Sequence, residues 1–195
     1  MHKKFLSLTL LALCCSLYVL RAQRTEKGNT FDLIDLERHQ VSFNLLMPSL
    51  QYEIGIARNV SASAIVGLGL ATPQEGYSLA PIYNVKARFY HNFERRKALN
   101  KNVAGNSGNY IAASYTHFFT EWELLGNMNT GDSSLDFIGA AYGLQRTFGN
   151  GINFSVEAGG GWYRRHDFNL GMGPVIGFSL GWTPTKRKSR KPRFD

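Results

Sequence analysis

Four charged side chains stand at positions that strand alternation would turn away from the apolar face: Glu53, Lys86, Arg88 and Glu157. Between Leu50 and Ala57, the residues Leu50, Tyr52, Ile54 and Ile56 share one side. Gln51, Glu53, Gly55 and Ala57 share the other. Two carboxylates and two cations on such faces suit two chemistries, ion pairing across an enclosed interior or proton transfer. A lone buried charge is costly, whereas a hydrogen-bonded pair is tolerated. Structural ion pairs also perturb charged groups without catalysing anything. The expectation is therefore a structural network of Glu53, Lys86, Arg88 and Glu157.

Other candidate chemistry is thin. His39, His91, His117 and His166 are spread along the chain. Ser114, His117 and Glu121 have the types of a nucleophile, base and acid, but their spacing is ordinary, and such a set is defined by geometry. Solvation at a rim is the expected role of His117 and His166. Asp132 has no convincing metal-ligand neighbours. Gly159, Gly160 and Gly161 lack the following Lys-Ser/Thr of a phosphate loop. No catalytic residue, metal or cofactor is assigned.

The elements that would position these residues are strands. After residue 40 the chain alternates with period two and is broken by turn residues. The clearest runs are 50–57, 152–165 and 171–182. Weaker ones cover 60–70, 79–91, 109–119 and 135–148, and a short one covers 40–46. If Met47, Pro48 and Ser49 turn the chain, that makes eight strands. Most are longer than the ~5–6 residues usual in globular proteins, and they reach the ~9–11 residues needed to cross a bilayer at a tilt.

Short connections fall at Arg58-Asn59 and at Gly149-Asn150-Gly151. The connection at 92–108 should lie on the same side yet is long, and Glu94 to Leu99 within it suits a helical turn. The longest connection on the other side is 120–134. It carries Trp122, Leu124, Leu125 and Met128 as exposed apolar residues and is the expected site for a surface ligand or partner, because loops carry function on rigid scaffolds.

The ends bound the setting. Lys3 and Lys4, the apolar run from Phe5 to Leu20, and Ala22 compose a secretory signal peptide over 1–22. Cys14 and Cys15 leave with it, and Leu13 before Cys14 fits lipid attachment poorly. Disulfides and thiolate metal sites are then excluded. Residues 23–39 form a lead-in, 40–183 the strand region, and 184–195 a basic tail. The net charge of +8 resides in the leader and the tail, since 23–185 holds thirteen basic and thirteen acidic residues. A nucleic-acid footprint is not supported.

Inside a bilayer every backbone polar group must be paired, so a sheet must close on itself. The alternate faces here are stripped to glycine: Gly55, Gly67, Gly69, Gly139, Gly143, Gly159, Gly161, Gly173, Gly177 and Gly181. Small residues suit the narrow interior of an eight-stranded barrel. Tyr52, Phe89, Phe119, Phe148, Trp162 and Trp182 fall near strand ends on the apolar face, as an aromatic girdle would. The expected fold is all-β, an eight-stranded antiparallel up-and-down transmembrane β-barrel, monomeric, with lipid as its surroundings.

The stretches Val41 to Glu53 (VSFNLLMPSLQYE) and Gly105 to Tyr110 (GNSGNY), with the patterning over 40–183, resemble the small outer-membrane β-barrel proteins of Gram-negative bacteria, of OmpA/OmpX-like architecture and Bacteroidetes type. The resemblance implies residence in the cell outer membrane and a structural or surface-binding role. Two alternatives stand beside it. One is a lipid-modifying outer-membrane enzyme, although the His-x-Ser-Asn element of deacylases with this architecture is absent. The other is a soluble secreted barrel that holds an apolar ligand.

Overall fold

The computed structural model describes residues 36–72, 76–127, 134–165 and 169–184, all within the compact unit Ile34–Asp195. The leader 1–22, most of the lead-in, Met128, Asp132, His166 and the basic tail from 185 onward lie outside the described residues. The strands are β1 (His39–Asn44), β2 (Ser49–Ala57), β3 (Val60–Ala71), β4 (Ser78–Phe89), β5 (Asn109–Phe118), the two-residue β6 (Leu125–Gly126), β7 (Leu135–Thr147), β8 (Ile152–Arg165) and β9 (Asn169–Trp182). One short helix, α1 (Phe93–Ala98), sits between β4 and β5.

Every pairing is antiparallel. Chain neighbours are sheet neighbours, β5 pairs β7 directly, and β9 returns to β1. Eight strands thus form a closed ring, and β6 is a spur on the start of β4, with Leu79 opposite Leu125. Among the described residues no helix is long and apolar enough to cross a membrane, which does not bear on crossing by strands.

Alternation decides which side chains face inward. Along β7, Leu135, Phe137, Ala141, Gln145 and Thr147 are buried, while Ile138 and Tyr142 between them are exposed. Outward faces of the other strands follow suit, with Val66, Val85, Ile111 and Trp162 exposed. The interior holds two apolar clusters with polar side chains between them. Near the end where β1 begins and β9 finishes, Leu36, Tyr90, Phe93, Tyr110 and Ala112 pack together. Toward the opposite rim, Ala71, Phe118, Leu135 and Phe137 pack with Ile82, Tyr163 and Val175.

The first hairpin differs from the sequence expectation. β1 ends at Asn44 rather than residue 46, the turn is 45–48, and Ser49 already belongs to β2. Asn44 Nδ2 donates to Ser49 Oγ at 2.9 Å and clasps the turn one step earlier. In 92–108 the expected helical turn is α1, and Phe93 anchors it in the first cluster. Gly105, at φ 58°, turns its carbonyl to accept from Gln145 Nε2 (2.9 Å) and Thr147 Oγ1 (3.0 Å). The long connection is thereby fastened to the barrel wall. It does not hang free.

Candidate functional site in the barrel interior

β2, β4 and β8 bring the four interior charges toward one another. Register places Glu53 opposite Ser63, Ser63 opposite Lys86 and Ser61 opposite Arg88, so three strands present a single polar patch. Arg88 Nη1 lies 2.9 Å from Glu53 Oε2 and 3.2 Å from Gln145 Oε1. Glu53 accepts further bonds from Ser61 Oγ (2.6 Å) and Tyr90 Oη (2.9 Å) on Oε1. Both Glu53 and Arg88 are buried. Lys86 Nζ pairs with Glu157, whose other oxygen accepts from Tyr110 Oη at 3.2 Å.

The guanidinium of Arg88 also sits over the Tyr110 ring, 4.9 Å from its centre. This geometry favours charge on the guanidinium twice, by the carboxylate and by the ring face. Two cations meet two anions, and the patch is neutral in sum. Each carboxylate oxygen named here has a donor. The arrangement spans the interior and ties β2, β4 and β8 together.

Tyr90 and Tyr110 belong to this site, and sequence reasoning did not single them out. Tyr110 lies on the interior parity of β5, which was a legible signal. Tyr90 lies one residue past β4, but within the run 79–91 it shares the inward parity of Lys86 and Arg88, so it too was legible. Burial, reinforced by the neighbouring Glu53 carboxylate, raises the Tyr90 hydroxyl well above the usual phenol range. It is a permanent donor at ordinary pH.

A second polar group lies on the outward face near the opposite rim. Asp136 accepts from His117 Nδ1 (2.7 Å), Tyr115 Oη (2.8 Å) and Arg164 Nη2 (3.1 Å). Tyr83 stacks on His117, and Phe119 stacks on Trp122. Ser114 and His117 fall on opposite parities of β5, with Ser114 inward and His117 outward. The set Ser114, His117 and Glu121 is therefore not assembled. The partner of His117 is Asp136, supplied by the next long strand across the sheet.

In the loop 120–134, Trp122, Leu124 and Leu125 are exposed, as alternation cannot show for a loop. The first part of the loop is tied back to β4: Phe119 N–H donates to Pro81 C=O, and Leu124 N–H to Leu79 C=O, both at 2.9 Å. Among the described residues no group of three or more His, Cys, Asp or Glu could hold a metal ion. Compared with family models, with curated proteins and with solved structures, the chain has no match in any of the three.

Proposed function

We propose that this chain is an integral outer-membrane β-barrel with a structural or surface-binding role, acting through the rim that carries the loop 120–134. The observation that carries the reading is an inverted distribution of polarity. The outward face of the closed ring is apolar on every side, and Ile138 (60% exposed), Met172 (74%) and Ile176 (80%) stand on it without cover. The interior instead keeps Gln51, Glu53, Asn84, Arg88 and Gln145.

Soluble monomers rarely expose contiguous apolar surface on this scale. A water-soluble barrel holding an apolar ligand would need the opposite arrangement. Tyr52, Phe89, Phe148 and Trp182 toward one end, with Trp162 toward the other, bracket the apolar face as interfacial rings do. Short turns at 58–59 and 149–151 mark the periplasmic end on this reading.

Membrane fractionation followed by a gel of boiled and unboiled sample tests it. An outer-membrane band whose mobility changes on boiling supports the proposal. A soluble protein with no heat shift overturns it. Enzymatic chemistry on lipid is a second reading with one observation in its favour, the His117–Asp136 pair at the rim. Unaltered lipid A mass on expression rejects that reading.

A further inference from the structure

The wall of the ring is not equally tall all round. β9 pairs β8 from Trp182 to Asn169, but it pairs β1 only at Trp182 and Gly181. The last backbone bond of that seam runs from Leu45 N–H to Leu180 C=O. Beyond it β9 continues for roughly 35 Å along its own direction at ~3.3 Å per residue. Among the described residues it has no strand on that side. Across the gap, β3 loses β2 after Gly67, apart from a bond from Leu68 N–H to Pro48 C=O, and continues to Ala71. The floor of the resulting notch is the first hairpin turn.

Two independent features suit the notch to an apolar medium. The turn is Leu45, Leu46, Met47 and Pro48, with both leucines exposed. Turns in water are built from Gly, Asn, Asp, Ser and Pro. This one carries no hydrophilic side chain, and it ends level with outward Leu68 and Phe178 rather than at the rim. The second feature is the edge itself. Gly173 C=O points toward β8, so the backbone groups of residue 174 point into the notch. That residue is Pro174, which has no N–H to leave unpaired. Its C=O accepts from Tyr163 Oη at 2.8 Å. The tyrosine ring lies over Gly173, where a Cβ would come within 3.1 Å of it, and so reaches across β9 from the inside. At this point the edge is chemically complete without a neighbouring strand. Proline on an edge also discourages strand addition.

We infer that the notch between β3 and β9 is a lateral portal through which a lipid acyl chain enters the barrel interior. Its flanks are apolar outward residues, Leu70 on β3 with Met172 and Ile176 on β9. Inside, Gly173, Val175 and Gly177 line the β9 side and are half-exposed, whereas Gly69 and Ala71 on the β3 side are buried, so the opening lies along β9. Val175 is the half-exposed edge of the apolar cluster of Phe118, Leu135 and Phe137, which is buried behind it and which an entering acyl chain would have to part. This inference rests on the membrane reading above, and the test separates the two.

The test is photo-crosslinking. The full chain is expressed with benzoylphenylalanine at Ile176 (outward), Val175 or Phe137 (inward at the notch), or Tyr110 (inward behind the closed wall). Each protein is reconstituted into phosphatidylcholine vesicles, and lipid adducts are read by mass. The heat shift on a gel certifies folding, and Val175 decides alone if the Phe137 variant lacks it. The portal predicts adducts at Ile176, Val175 and Phe137 and at least tenfold less at Tyr110. Adducts at Ile176 alone overturn the portal and leave the membrane reading standing. Lack of adducts at every position, Ile176 included, overturns both.

Discussion

The phenol of Tyr110 occupies the space that a side chain on Gly143 would need, directly across the ladder from it. Tyr110 cannot retreat cheaply, because its hydroxyl is bonded to Glu157 and its ring face carries Arg88. Gly143→Ala should therefore destabilise the barrel by about 1–3 kcal/mol, the range for overpacking. Combining it with Tyr110→Leu should recover part of the loss relative to Tyr110→Leu alone. Urea unfolding from vesicles, followed by tryptophan emission, measures both.

Removing one partner of the central pair should cost more than removing both. Glu53→Leu leaves the Arg88 charge buried without its carboxylate, at a cost of about 3–5 kcal/mol. The double variant Glu53→Leu/Arg88→Met should be distinctly more stable than Glu53→Leu. Glu157→Leu should behave like the single variant, since Lys86 then loses its partner. Unchanged unfolding of both single variants would refute the network.

The outward face gives a prediction that separates lipid from water. Ile138→Arg should cost about 2–4 kcal/mol if that position meets the bilayer midplane. On a water-exposed surface the same change lies within about ±0.5 kcal/mol. The yield of heat-shifted band after refolding into vesicles, with and without the substitution, distinguishes the two.

Tyr163→Phe removes the hydroxyl that completes the β9 edge at Pro174. The carbonyl then lacks its donor, and the loss should be about 1–3 kcal/mol. Pro174→Val restores an N–H to the same edge without a partner and should also destabilise. Hydrogen exchange in vesicles should show both variants loosening β9 near the notch before the β7–β8 ladder.

Much of the ring was legible because alternation and strand length are local signals. The strands at 50–57, 109–119, 135–148 and 152–165 match β2, β5, β7 and β8 to within a residue or two. The end of β1 was not legible. Leu45 and Leu46 read as continued strand, with the turn expected at Met47, Pro48 and Ser49, because an apolar turn violates the chemistry by which turns are recognised. The interior parity of Glu53, Lys86, Arg88 and Glu157 followed from spacing, but their pairing did not. That depends on register between strands far apart in the chain, and so does the meeting of His117 with Asp136. Tyr90 shares the inward parity of Lys86 and Arg88 within the run 79–91, but its bond to Glu53 depends on the same register. Leu125 looked like free loop, yet its pairing with Leu79 fixes it against β4.

The short seam also bears on how the ring is made. Neighbouring strands elsewhere join through local hairpins, which form early because their ends are close in the chain. β1 and β9 must meet from opposite ends of the strand region, paying the largest loop-closure entropy for the fewest ladder bonds. Closure at Phe43 and Trp182 is thus the natural last step of assembly and the first to give way under denaturant. A chain halted before that step would be an open sheet of seven or eight strands with two bare edges, the form an assembly factor would have to recognise and protect.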